Sequence, residues 1–299
     1  MLSEKYIAGF LDADGSIHLH VSKETWKPQI NVSFSQKAGK DEVLRLIQQR
    51  YGGILTTETI KQADYVRLDI RGKLAKMMLN MVAQHLVIKR HYAYALLERE
   101  QAIVGDRDQL RQWMKDQRRL RSLPLPNFPS RKWLAGYFDG DGCVSVMKIT
   151  KFGAAYLVAT IACSDYDTEG LEIIQKNFGG VIYDMAQGRC RQWRLLAQPS
   201  KVKEFFGYFV KHSIVKKQEI QFVLGCAEMG HFRDGENIKS ALKQLKSHEH
   251  RLSESAPEPA SLLKTIRDLS AQRRSDYGEF IRNERGHIIG KVKRQSDAA

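Results

Sequence analysis

Cysteine is scarce in this chain, and the few thiols are not spaced to work together. The four, at positions 143, 163, 190 and 226 of 299 residues, show no C-x-x-C spacing. That argues against the common zinc and disulfide frameworks and for a reducing setting. Long apolar runs are missing too. Nothing approaches the roughly 18 apolar residues a membrane helix needs, so no membrane partner is expected. The first residues lack a basic leader followed by an apolar segment, so an intracellular location (cytoplasm, nucleoid or organelle matrix) is expected rather than secretion. Acid is also in deficit: 34 Asp and Glu face 48 Lys and Arg, a net charge of +14. No single tail concentrates the excess. Residues 1–98 carry 14 basic against 10 acidic side chains, 99–130 carry 7 against 4, 131–226 carry 13 against 9, and 227–299 carry 14 against 11. A molecule basic throughout suits a polyanion, although charge alone is equally compatible with a soluble protein whose charged faces are merely solvated.

What is present is one unusual phrase, written twice. Residues 7–15 read IAGFLDADG and residues 134–142 read LAGYFDGDG. Each is a short apolar helix ending in two acids and a glycine. A helix C-terminus carries partial negative charge, so carboxylates are unfavourable there and a cation is called for. An offset of 127 residues aligns the two halves without a gap: Asp12 with Asp139, Asp14 with Asp141, Gly52-Gly53 with Gly179-Gly180, Arg67-Leu68 with Arg194-Leu195, His85 with His212, and Lys89 with Lys216. One register held over about a hundred residues identifies two copies of one domain.

Within a copy, Ser3 is a candidate N-cap and Gly15 a candidate C-cap of the motif helix. Alternating segments follow over 16–22 and 29–35, then a helix over 41–50 stopped by Gly52-Gly53, strands over 54–60 and 65–70, and closing helices over 73–82 and 88–98. The order is αββαββα, repeated in tandem: an α+β fold with two antiparallel sheets. Ala8 and Gly9, like Ala135 and Gly136, keep one side of each motif helix flat, so the two helices are expected to form the interface between copies. That packing would bring the acidic ends side by side. Hard divalent ions such as Mg²⁺ favour carboxylate, carbonyl and water oxygens, and ions held by carboxylates suit phosphodiester hydrolysis.

The sheet faces differ between copies. In the first, Ile17, Leu19, Val21, Ile30, Val32, Phe34, Val66, Leu68 and Ile70 point one way. The other face carries Ser16, His18, His20, Ser22, Gln29, Asn31, Ser33, Ser35, Tyr65, Arg67 and Asp69, with Arg71 beyond. Short hydrogen-bonding groups of this kind can read base edges in a major groove; the alternative is an ordinary wet sheet face. The second copy offers Cys143, Ser145, Met147, Ile149, Tyr156, Val158, Thr160, Ala162, Gln192 and Arg194. That face is more apolar, so an asymmetric target is expected.

The duplicated motif and its single internal period resemble the LAGLIDADG homing endonucleases in their single-chain, two-repeat form, over about 1–98 and 131–226. The resemblance implies two saddle-shaped sheets on double-stranded DNA, a monomer, and a composite active site at the paired helix ends that cuts both strands with 3′ overhangs. It implies metal binding by Asp14 and Asp141 with the carbonyls of Ala13 and Gly140, the ions being Mg²⁺, two or more, with Mn²⁺ able to substitute. It implies a structural role for Asp12 and Asp139, basic residues near the scissile phosphates at Lys89 and Lys216, and a solvent-organising Gln36. At the position equivalent to Gln36 stands Cys163, a departure that predicts unequal strand rates. A histidine just before a helix is a cap more often than a catalyst, which leaves both readings open for His85 and His212.

Two segments fall outside the repeats. The connector 99–130 reads as an exposed basic helix, either along a phosphate backbone or as a solvated bridge. The tail 227–299 reads as two helices without counterpart in the repeats, loose after Arg285. Three functions compete: a site-specific DNA endonuclease, a maturase that binds intron RNA, and a DNA-binding protein without catalysis. The intact acids and both lysines argue against the last.

Overall fold

The computed structural model describes residues 2–21, 28–99, 106–120, 127–148, 155–164, 168–185, 190–197, 199–229, 235–246, 258–277, 280–282 and 288–291. Repeat 1 runs α1 (Glu4–Asp14), β1 (Gly15–Val21), β2 (Pro28–Lys37), α2 (Glu42–Tyr51), β3 (Ile54–Ile60), β4 (Ala63–Arg71), α3 (Lys73–Val82), a 3₁₀ turn through His85, and α4 (Arg90–Arg99). After α5 (Arg107–Arg119) the series recurs as α6 (Arg131–Asp141), β5 (Gly142–Lys148), β6 (Ala155–Ser164), α7 (Glu169–Phe178), β7 (Val181–Met185), β8 (Cys190–Ala197), α8 (Pro199–Phe209), a turn through His212, and α9 (Lys217–Met229). Both sheets are antiparallel and four-stranded, ordered β1-β2-β4-β3 and β5-β6-β8-β7. The fold is the expected α+β duplication.

Period-two alternation in β1, β2 and β4 sends Ile17, Leu19, Ile30, Val32, Phe34, Leu68 and Ile70 into the core. Amphipathic α2 and α3 cover that face through Leu44, Ile47, Met78 and Leu79. Removing these side chains from water, at about 25 cal/mol per Å² of apolar surface, is the principal drive for each sheet to acquire its helical layer.

The motif helices α1 and α6 pack against each other more closely than ordinary side chains permit. A Cβ on Gly9 would sit on the backbone carbonyl of Trp133, and one on Gly136 on that of Tyr6. Ala8 and Ala135 are fully buried beside them. The small residues therefore set the backbone separation. Gly15 is the C-cap of α1, as expected, and Gly142 is that of α6. With φ of −90° and −72° they are extended, so no left-handed cap requires glycine. Space does: a Cβ on Gly15 would lie 2.8 Å from Leu11 Cα, and one on Gly142 2.5 Å from the Phe138 ring.

The segments outside the repeats prove to be related. α5 lies beside edge strand β1, where Leu19 N–H donates to Met114 Sδ at 3.4 Å and Arg118 to the Ile17 carbonyl at 3.5 Å. Beside the equivalent edge strand β5 lies α10 (Gly235–Lys246), whose Lys246 ammonium donates to the Val144 carbonyl. Ile17 and Val144 are equivalent at the repeat offset, and Leu110, Met114 and Arg118 answer to Ile238, Leu242 and Lys246 at an offset of 128. The tail thus does have a counterpart, which the sequence reading missed because a one-residue shift and unlike residue types hide it. Leu110 and Ile238 anchor the two helices in the core. α11 (Pro259–Tyr277) packs on α9, with Leu263 against Gly225. β9 (Phe280–Arg282) pairs with β10 (Ile288–Lys291), so part of the chain beyond Arg285 is a strand where loose chain was expected.

Candidate active centre

Each motif helix ends beside the other. A Cβ on Gly140 would strike the Ala13 side chain and come within 3.4 Å of Asp14 Cγ, so only glycine lets the Asp14 carboxylate approach the end of α6. The first acids are buried and fully engaged. Asp12 accepts from Val87 N–H (2.8 Å), Lys89 N–H (2.9 Å) and the Trp133 indole N–H (2.8 Å). Asp139 accepts from the Tyr6 hydroxyl (2.6 Å), the Ser213 hydroxyl (2.5 Å), and the N–H groups of Ile214 (2.6 Å), Val215 (3.1 Å) and Lys216 (3.1 Å). Tyr6 and Trp133 are equivalent at the repeat offset, so each half holds the other's first acid. Each of those acids in turn fixes the start of its own last helix, a structural arrangement. Burial holds the Asp12 carboxyl above its ordinary range, against the pull of Lys89 and the three donors. It also raises the Tyr6 phenol, reinforced by Asp139.

The two lysines turn toward the ends of the motif helices. Lys89 Nζ donates to the carbonyls of Leu11, Asp12 and Gly15, each at 2.8 Å, and to Ala13 at 3.5 Å. Lys216 Nζ donates to those of Phe138 (3.0 Å), Asp139 and Gly140 (2.9 Å). Each ammonium thus caps the negative end of its own motif helix. The cation that two acidic helix ends call for is partly supplied from within. Burial lowers the Lys216 pKa, opposed by Asp139, Asp14, Glu219 and Asp141. Asp14 and Asp141 therefore both act on one ammonium. Asp14 itself is raised by burial, opposed by Lys216, then Lys89, then the Gln36 amide, which donates directly to its Oδ2.

Asp14, Gln36, Lys89, Lys216, Ala13 and Gly140 are thus brought together, and half-buried Asp141 adjoins them through Lys216. Among the described residues no group of three or more His, Cys, Asp or Glu could hold a metal. The candidate donors are the Asp14 and Asp141 carboxylates with main-chain carbonyls, all hard oxygens, at the two helix ends that Gly140 lets approach. Such a set fits a divalent cation such as Mg²⁺. The Ala13 and Gly140 carbonyls already accept from the lysines, so an ion there would share them. His85 and His212 lie at the opposite ends of α1 and α6, in a cleft with Ser3 and Ser130, far along the helices from the acids.

The outward face of sheet 1 follows the expected register. Ser16, His18 and His20 pair with Ser33, Asn31 and Gln29, while Asn31, Ser33, Ser35 and Lys37 pair with Arg71, Asp69, Arg67 and Tyr65. Ser33 is buried, its hydroxyl 2.7 Å from that of Ser16. Asp69 accepts from Arg67 (3.0 Å) and Arg71 (3.2 Å). Ser22 lies outside the described residues, as does Ile149. In sheet 2, Ser145, Met147, Cys143 and Thr160 fall on one face by register with Val158, Tyr156 and Arg194. Arg194 donates to Gln192 (2.6 Å) and lies over the Tyr183 ring. Tyr183 belongs to β7, whose Val181, Tyr183 and Met185 extend this face, as Ile54, Thr56 and Glu58 of β3 extend the other. The sequence reading predicted the strand over 54–60 but left the residues of β3 and β7 out of the two candidate faces, although their alternation was available.

The LAGLIDADG endonuclease family model matches residues 7–99 and 134–229. The chain belongs to that family. Similar solved structures are the LAGLIDADG homing endonuclease I-SmaMI bound to cleaved DNA (18% identity, 83% of this chain and 97% of that one, TM-score 0.61), I-GzeII in complex with its DNA target (15%, 90% and 98%, TM-score 0.56), and I-AabMI bound to uncleaved DNA (16%, 81% and 98%, TM-score 0.57). At these identities they establish a shared fold. The comparison with curated proteins returned no match. The two family matches coincide with the two halves that meet at α1 and α6, so the LAGLIDADG phrase is here the seam of a duplicated domain.

Proposed function

We propose that this protein is a site-specific double-strand DNA endonuclease that acts as a monomer on a long asymmetric site, leaving 3′ overhangs, with Mg²⁺ as the working ion and Mn²⁺ as a substitute. The observation that carries this reading is the convergence of Asp14 with Gly140 at the paired helix ends, beside a sheet whose outward face is rich in hydrogen-bonding side chains. Asp14 and Asp141, with the Ala13 and Gly140 carbonyls, would hold the ions. A divalent ion there supplies charge for the attacking water and the departing oxygen. Gln36 orients the Asp14 carboxylate. Lys89 and Lys216 keep the helix-end carbonyls compensated and set positive potential beside the phosphates. His18, His20, Gln29, Asn31, Ser35, Tyr65, Arg67 and Arg71 would read one half-site, and Ser145, Met147, Tyr156, Thr160, Gln192 and Arg194 the other, with Asp69 orienting its two arginines. An intracellular setting accords with the free thiols; burial pushes that of Cys226 up to about 12, which keeps it inert.

The test is selection of cleavable sites from a randomised duplex library with Mg²⁺, followed by sequencing of the cut ends. A single long, non-palindromic site with staggered ends is expected; random or absent cutting overturns the reading. Intron RNA as a second partner has no specific structural observation in its favour, and a splicing assay addresses it directly.

A further inference from the structure

Two cavities flank the motif ends, and the repeat relates them. One, of about 470 Å³, lies among β1, the start of α4 and α5. The other, of about 210 Å³, lies among β5, the start of α9 and α10. Gly15, Ile17 and Lys89 line the first where Gly142, Val144 and Lys216 line the second. The chemistry then diverges. The larger cavity has Lys115, Arg118 and Arg119 around it and no acid in its lining. The smaller has Lys40 and Lys246, but also Glu219, which stands where repeat 1 has Tyr92 and lies 4.0 Å from the Lys40 ammonium.

Within the larger cavity the cations have different duties. Arg118 is committed to the Ile17 carbonyl and to the Tyr92 ring, 5.2 Å from its centroid, so it pins α5 in place. Lys89 is committed to the end of α1. Lys115 and Arg119 are exposed and make no hydrogen bond or ion pair among the described residues. A volume of about 470 Å³ falls within the range of about 300–1,000 Å³ usual for small-ligand sites, and about 210 Å³ falls below it. Two cations without a partner among the described residues, at a concave mouth whose lining holds no acid, favour an anionic group, and field lines focus in such a concavity.

We propose that the larger cavity seats one backbone phosphate of the bound duplex beside the cleavage centre, held by Lys115 and Arg119, and that the smaller cavity does not. The two strands are then gripped unequally next to the two cuts. The inference rests on the endonuclease reading, but α5 lies outside the residues that carry the family match, 7–99 and 134–229.

The experiment measures binding of a labelled duplex carrying the selected site, in Ca²⁺, across a KCl series. It compares wild type, Lys115→Ala/Arg119→Ala, and Lys243→Ala. Lys243 is the exposed counterpart of Lys115 on α10 and does not line the smaller cavity. Because all three side chains are exposed, circular dichroism should show unchanged folding. Losing that one phosphate contact reduces the salt slope by about 0.9, so the loss of affinity between 50 and 200 mM salt shrinks by about three- to four-fold. Lys243→Ala should leave the slope unchanged. In Mg²⁺ the double variant should slow one strand's cut more than the other's. An unchanged slope in the double variant, an equal fall in Lys243→Ala, or equal slowing of both strands overturns the proposal. A wild type with no affinity for duplex sinks the endonuclease reading and this one with it, whereas steep wild-type salt dependence beside an unchanged double variant sinks this one alone.

Discussion

The two halves of this molecule are alike where they touch each other and unlike where they face outward. At the seam, Gly9 answers to Gly136, Asp12 to Asp139, and Tyr6 to Trp133, and the contacts are reciprocal. On the outer faces, His18, His20 and Gln29 give way to Ser145, Met147 and Tyr156, and away from the seam Tyr92 gives way to a buried Glu219. Duplication leaves the shared spine under a mutual constraint, because a change on one side must suit the other. The outward faces carry no such constraint and can diverge. Packing therefore preserves symmetry only where atoms of the two copies meet.

The sharpest way to break the comparison is at the second acids. Asp14→Asn and Asp141→Asn should each abolish double-strand cutting, by about 10³-fold or more, equivalent to about 4 kcal/mol of barrier, while duplex binding in Ca²⁺ persists. If only one of them matters, the site is not shared; cleavage time courses on a two-strand-labelled duplex decide this.

The seam itself is less even than it looks. Asp12 has three donors and Asp139 has five. Removing one from the poorer set leaves a buried carboxylate more exposed to its desolvation penalty. Trp133→Phe should cost about 2–3 kcal/mol and Tyr6→Phe about 1–2, read by urea denaturation. Equal losses would show that donor count does not govern these acids.

A smaller difference concerns the ends of β2 and β6. Gln36 donates to Asp14, and Cys163 occupies its repeat position. Cys163→Gln should bring the two strand rates together by a few-fold, and Gln36→Cys should slow one of them by about ten-fold. Already equal wild-type rates would remove this asymmetry.

The smallest effect is thermal. The folded Asp14 pKa lies above that of the unfolded chain because of burial. Its ionised form therefore costs the folded state stability at neutral pH, and the cost vanishes below the unfolded value near 3.9. Asp14→Asn should raise Tm at pH 7 by about 2–4 °C, equivalent to about 1 kcal/mol, and leave it unchanged at pH 3. Mg²⁺ should stabilise the wild type more than this variant.

The fold was largely legible in the sequence because its signals are periodic: alternation fixed the sheet faces of β1, β2 and β4, and one offset fixed the duplication. The resemblance separates Asp12 and Asp139 from Asp14 and Asp141, but it does not name the partners that hold the first acids. Tyr6 and Trp133 differ in identity, so matching residues at the offset passes over them; matching aromatic character would have found them. The direction of the lysine side chains was also hidden. Their spacing from the acids is the same whether they face a phosphate or a helix end, and only the tertiary path of α4 and α9 decides.

The helices beside the sheet rims carry one more consequence. An open strand edge is a template on which another chain can polymerise. Met114 and Arg118 occupy groups of β1, and Lys246 occupies one of β5, so stacking through these rims is blocked in both halves. A protein trimmed back to its two matched segments would lose both guards together and should show its defect first as turbidity on concentration.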